Sequence, residues 1–216
     1  MIYEIMHREN CVAQISTVGE CKIYLEDFMP YDLMLEESND FDKRIKNAMS
    51  FYSWCASRMI PPDRTYAKEI LNSIGASQSV TDRERAQIAL SYHCLSLLDV
   101  FWVKEENEKV RFEDINLFAH SLSNALVDIA LRGHQMTVTN AHLLANDLST
   151  GGLYPKAWVR KEDGFYLYKD GGRDAVEREV LASKICRCFD CHQVLYEQGM
   201  FENEPVSISK IMISQR

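Results

Sequence analysis

Apolar and polar residues alternate along Ile2-Tyr3-Glu4-Ile5-Met6 and again along Cys11-Val12-Ala13-Gln14-Ile15, on either side of His7-Arg8-Glu9-Asn10. A period of two lays one face of each segment against a core, so this pattern predicts a hairpin, with a third strand around Cys21–Leu25. From Asp40 the period lengthens. Phe41, Ile45, Ala48, Met49, Tyr52 and Cys55 recur at helical spacing and predict a single inward stripe. Pro61-Pro62-Asp63 interrupts it, and Asp63 is placed to cap a helix running to Ile74-Gly75. Thr81-Asp82-Arg83-Glu84 has the form of a capping box, hydroxyl first and carboxylate three residues on. The apolar run Ala86–Val103 behind it predicts a central core helix. Phe112–Arg132 predicts another, closed by Gly133.

After Thr137–Leu148 the composition shifts toward glycine, aromatic and β-branched residues, which sets a boundary near residue 135. Val159–Phe165 reads as a hairpin turning at Asp163-Gly164. Arg173–Phe189 has helical spacing, with Val176, Val180, Leu181, Ile185 and Cys188 expected to face inward. Strands are expected at Val194-Leu195-Tyr196 and Val206–Ile213. The fold class is therefore α+β. Residues 1–135 form a small strand unit with a helical bundle, and 136–216 an antiparallel sheet with one helix.

Composition narrows the function classes. A formal charge of -8 argues against a nucleic-acid binder, which needs a basic face for phosphates. Residues 1–30 lack the pattern of an export signal, and no uncharged apolar run approaches 18 residues, so a cytoplasmic location without a membrane span is expected. The seven cysteines then read as reduced, buried thiols. Cys186-x-Cys188-x-x-Cys191-His192 is the most ligand-rich run. Structural zinc sites draw ligands from two separated pairs, however, and no second pair lies nearby. Buried thiols are the reading adopted, with no metal site.

The chemistry concentrates between residues 149 and 177. A loop that lies against phosphate oxygens needs small residues, so that backbone amides can approach. Ser149-Thr150-Gly151-Gly152 fits this need and equally fits a plain surface turn. Lys169 ends an aromatic strand, where it could meet phosphates or simply guard a sheet edge. Glu177 falls near the start of the following helix, positioned to hold Lys169 if the helix phase is as drawn; Glu179 is the alternative.

Loop, hairpin, strand lysine and helix glutamate follow one another in the order of a kinase small lobe. The matching residues are Ser149-Thr150-Gly151-Gly152-x-x-Pro155-Lys156-Ala157, Tyr166-Leu167-Tyr168-Lys169 and Glu177-x-x-x-Leu181-Ala182. In these the chain resembles the HipA-like serine/threonine kinases, and within them the CtkA-like bacterial branch. The resemblance implies an ATP-binding small lobe over about 147–211, with Ser149, Thr150, Gly151 and Gly152 capping the nucleotide. It implies that Lys169 contacts ATP, that Glu177 is its helix partner and that Ser149 is a regulatory autophosphorylation site, with Thr150 next. Catalytic and Mg-binding carboxylates belong to a large lobe that is not among these residues. The expectation is a truncated kinase, or one piece of a split enzyme. It would bind ATP weakly by itself and transfer phosphoryl groups to protein hydroxyls only with a large-lobe partner. A non-catalytic protein-binding scaffold, working through its helical region, is the alternative.

Overall fold

The alternation over residues 2–16 builds the hairpin it predicts: β1 (Ile2–His7) pairs antiparallel with β2 (Asn10–Ser16), and β3 (Cys21–Ile23) joins the far edge of β2. The structure is a computed structural model describing residues 1–74, 81–119, 131 and 149–212. It combines helices with two four-stranded antiparallel sheets, an α+β fold. Packing divides it into two units, the first holding residues 1–60, 81–119 and 149–151, the second 61–74, 131 and 152–212. Among the described residues no helix is long and apolar enough to cross a membrane.

In the first unit the strand order is β3-β2-β1-β4, with β4 spanning Phe101–Glu105. That fourth strand corrects the expectation of a core helix through Val103. The capped helix α3 (Asp82–Ser91) ends early, and His93 and Cys94 both take left-handed φ, 55° and 52°, which turns the chain back. Trp102 on β4 is fully buried and donates from Nε1 to the Arg8 carbonyl at 2.6 Å. The capping box itself is present: the Thr81 side chain accepts from Glu84 N, and Glu84 reaches back to Thr81 N.

Helix α1 (Phe41–Ser57) starts where Asp40 accepts from Lys43 N, but it buries a different face from the one expected. Asn47, Phe51, Trp54 and Cys55 point inward, while Phe41 is 72% exposed and Met49 67% exposed. Of the expected stripe only Cys55 is buried; the rest lines an open groove of about 580 Å³ with Val18. Asn47 explains the choice of face. Its amide donates to the carbonyls of Gly19 (3.1 Å) and Glu36 (2.8 Å) and accepts from Glu36 N (3.0 Å), fastening two loops to the helix.

Gly19 permits that approach, because it takes φ 81° and a Cβ there would lie 1.7 Å from the Arg44 carbonyl oxygen. Gly19→Ala should therefore destabilise the fold by more than the roughly 1–2 kcal/mol that left-handed backbone alone costs, and so lower the thermal midpoint. A melt indistinguishable from that of the parent would refute this account.

In the second unit α2 (Ala67–Ser73) buries Ala67, Ile70 and Leu71. It starts after Tyr66, which has φ 63°, so Asp63 is not its cap. The second sheet runs β5-β6-β8-β7, with β5 Lys156–Lys161, β6 Gly164–Lys169, β7 Tyr196–Phe201 and β8 Glu204–Lys210. The β5–β6 hairpin forms, but Lys161 pairs with Gly164, so its two-residue turn is Glu162-Asp163, one residue earlier than the expected Asp163-Gly164. Asp163 within it accepts from Tyr166 Oη at 2.7 Å and Lys210 Nζ at 2.8 Å.

Two helix expectations need correction. The helix begun at Phe112 is α4 (Phe112–Ile115) and stops where Asn116 turns extended; its expected continuation and the boundary near residue 135 lie outside the described residues. The helix over 173–189 is α5 (Arg173–Cys186), packed on β7 and β8. It buries Val176 and Ser183, whereas Leu181, Ile185 and Cys188 face solvent.

Candidate functional site

Hairpin register brings two lysines side by side. With Lys161 opposite Gly164, the β5–β6 ladder places Lys156 directly across from Lys169, and the β6–β8 ladder places Ser207 on the other side of Lys169. Cross-strand neighbours project from the same face of a sheet. Like charges so placed repel, and a sheet built only for stability would avoid the pair.

The helix supplies a counter-charge. On α5, Val176 faces the sheet, so the residue three further on shares its face and the residue one further on does not. Glu179 accordingly meets Lys169 Nζ at 3.1 Å, while its other oxygen accepts a hydrogen bond from Ser207 Oγ. Glu177, the expected partner, is solvent-exposed. The partner is Glu179, and the error was one of helix phase.

Tyr196 completes the cluster. Lys169 Nζ donates to its hydroxyl at 2.7 Å and lies 4.3 Å from its ring centre. Tyr196 is held in turn by its backbone N–H, which donates to Ser183 Oγ at 2.7 Å. Burial works against the charge of Lys169, but the Tyr196 hydroxyl and the Glu179 carboxylate more than offset it, so its pKa is raised. A cavity of about 200 Å³ opens beside it, bounded by Tyr154, Gly171, Glu179 and Ser207. Drug-sized ligands fill about 300–1,000 Å³. This cavity suits a phosphate-sized group, not a whole nucleotide.

Lys156 stands in the sequence pattern without a role, and the structure brings it to the site. Its ammonium tucks against the glycine turn, where Gly152 has φ 96° and a Cβ would fall 2.4 Å from Lys156 Nζ. Gly152 is thus required for this approach, whereas a side chain at Gly151 would meet open space. The turn is anchored by Thr65 N, which donates to the Leu153 carbonyl at 2.9 Å, and by Arg64, whose guanidinium donates to the Lys156 carbonyl. The expected turn at Asp163-Gly164 could not reveal Lys156, since counting pairs back from it sets Lys169 opposite Trp158; the turn one residue earlier is what sets Lys156 opposite Lys169.

Burial pushes the Lys156 ammonium down to about 8; Arg64 and Lys169 add repulsion and Glu179 offsets part of it. The unfolded chain keeps that proton up to the ordinary lysine value of 10.5. Between these values the unfolded state binds more protons, so this residue makes stability rise with pH across that window. Lys156→Met should therefore raise the melting temperature at pH 7, with the gain shrinking toward pH 10. A variant that melts lower at pH 7, or gains equally at both pH values, would contradict this.

Ser149, Thr150 and Gly151 belong to the first unit; Gly152, Lys169 and Glu177 belong to the second. Ser149 is only 8% exposed, and its hydroxyl sits 2.6 Å from that of Ser96. Cys55 and Cys94 are buried as expected, but Cys188 and Cys191 are exposed and Cys186 half-buried, which corrects the reading of those three as core thiols. No group of three or more metal-ligating side chains is assembled among the described residues. A comparison of the chain with known protein families found no match, and neither did a comparison with curated proteins.

Proposed function

We propose that the second unit binds the phosphates of a nucleoside triphosphate, ATP with Mg, as the small lobe of a HipA-like serine/threonine kinase. The observation that carries this reading is the opposed pair Lys156 and Lys169 beside a glycine turn, with Glu179 of the crossing helix on Lys169. A strand lysine held by a helix glutamate is the ion pair protein kinases use to position ATP phosphates. A polyanion would relieve the repulsion between the two ammonium groups. Lys169, oriented by Glu179, would hold one phosphate, and Lys156 with the turn at Gly152 would hold another. Phosphoryl transfer to a protein hydroxyl would need Mg ligands and a base from a large lobe. Phosphorylation of Ser149 would first require its contact with Ser96 to open.

Calorimetry with Mg-ATP tests the assignment. Glu179→Gln should weaken binding several-fold because the lysine loses its charged orienting partner, whereas Glu177→Gln should bind like the parent. Equal effects of the two substitutions would remove the basis of the reading.

One observation favours a protein-binding scaffold as the second reading: α1 turns Phe41, Ile45 and Met49 outward along a groove. Absence of ATP binding at millimolar concentration, in a folded protein, would favour it.

A further inference from the structure

Two cysteines and a histidine fall in the connection between α5 and β7, with Cys186 ending the helix before them, and apolar packing does not account for them. Cys188 and Cys191 are exposed, unlike the buried thiols Cys55 and Cys94. The backbone bends tightly as it leaves the helix: Cys188 N donates to the Ile185 carbonyl (3.0 Å), Phe189 N to Cys186 (2.9 Å) and Cys191 N to Phe189 (3.1 Å). Cys188 and Cys191 stand at the first and last positions of a four-residue stretch; a β-turn there would set their Cα atoms within about 7 Å, the upper end of the span a disulfide bridges. Cys186 is an unsuitable partner for Cys188, because residues two apart at a helix end do not face each other. The Cys186 carbonyl also accepts from Gln193 Nε2 at 2.8 Å.

The bend is fastened at both ends. Ser183 Oγ accepts from Tyr196 N at 2.7 Å, and Arg187 lies 3.6 Å from Glu197. Between them Gln193 Oε1 is buried without a hydrogen-bond partner among the described residues. The connection is thus a short strap held at two points, with two accessible thiols three residues apart.

We propose that Cys188 and Cys191 form a reversible disulfide, closed by a hydroperoxide and reopened by a dithiol. One thiolate attacks the peroxide; an S–O bond forms as the O–O bond breaks, giving a sulfenic acid and, with hydrogen peroxide, one water. The second thiolate attacks that sulfur, the S–S bond forms, and hydroxide leaves to become the second water. The sulfurs together give up two electrons, and the peroxide accepts them. A dithiol reverses the step and is itself oxidised to a cyclic disulfide. Because the strap joins the helix of Glu179 to the strand of Tyr196, closing it acts on the two elements that hold Lys169.

Trypsin cleavage after Arg187 and Lys210 gives a peptide that contains Cys188 and Cys191 and no other cysteine. The full chain is treated with hydrogen peroxide, quenched, alkylated and digested. The expected product is an unalkylated 188–210 peptide lighter by about 2 Da, the mass of two hydrogens, which takes two alkyl groups after dithiothreitol. In Cys188→Ser this mass loss should vanish. Two alkyl groups after peroxide, oxygen added to a cysteine sulfur (as distinct from Met200) without a crosslink, or a bond from either cysteine to Cys186 would each overturn the proposal. The measurement reads sulfur bonding alone, so its outcome is separate from that of the nucleotide reading.

Discussion

Lys169→Met should lose most of its affinity for Mg-ATP. The lysine is gripped on two sides, by Glu179 at 3.1 Å and by Tyr196 at 2.7 Å, so its ammonium stays put and presents its remaining donor to the cavity. Removing one member of a partly desolvated, hydrogen-bonded charge pair costs about 2 kcal/mol or more, which corresponds to at least roughly a thirtyfold weaker dissociation constant. Methionine keeps the apolar stem and removes only the charge. Circular dichroism should show a folded variant, since Ser207 still donates to Glu179. Titration calorimetry on parent and variant at one salt concentration decides the matter. Matching affinities would mean that the lysine does not touch the nucleotide.

A second large effect is expected far from that site. Arg58, at the end of α1, donates to both carboxylate oxygens of Asp99 (2.8 and 2.7 Å) and to the carbonyls of Cys94 (2.5 Å) and Phe101 (3.1 Å). Its guanidinium also lies 4.8 Å from the Trp54 ring centre. One buried side chain thus ties the segment between α3 and β4 to α1. Arg58→Met leaves two carbonyls and a carboxylate without their donor, and breaking a buried pair in this way costs about 3 kcal/mol or more. Asp99→Asn should cost less, because Asp99 is a third exposed and its amide replacement can still accept from Phe101 N. Urea unfolding followed by far-ultraviolet circular dichroism measures both. A loss below about 1 kcal/mol for Arg58→Met, or a larger loss for Asp99→Asn, would show that the network is not what holds this segment.

Sequence signals that depend on near neighbours matched the structure best. The capping box at Thr81 and Glu84, the β1–β2 hairpin and the β5–β6 hairpin each need only a few adjacent residues to form, and all three are present, the last with its turn one residue earlier than expected. Signals that needed a choice between faces did poorly. Helix α1 carries two apolar stripes, and periodicity cannot tell which one meets the core; the decision was made by Asn47, whose partners at Gly19 and Glu36 are remote in sequence. Strand β4 was missed for a similar reason. The run 86–103 is apolar throughout, the reversal at His93-Cys94 uses neither glycine nor proline, and the strand exists because β1 offers an edge.

The candidate site divides the same way. Lys169 was legible as the last residue of an aromatic strand. Its partner was displaced by two positions because one turn of α5 offers glutamates at 177 and 179, and only burial of Val176 sets the phase. Lys156 emerges only from the observed register, in which the turn falls at Glu162-Asp163, one residue before the expected one. The exposure of Cys188 and Cys191 could not be read from spacing, since α5 ends at Cys186 and the residues beyond follow no helical face.

The alternation of the chain between its two units constrains how the protein can be dissected. A gene bisected near codon 135 would send α2 out with the wrong half, along with Thr65 and Arg64, which brace the backbone at Leu153 and Lys156. One fragment would carry α2, and the other would lack the brace for its glycine turn. Any fragment meant to isolate the lysine cluster must carry Arg64 and Thr65 as well as residues 152–212.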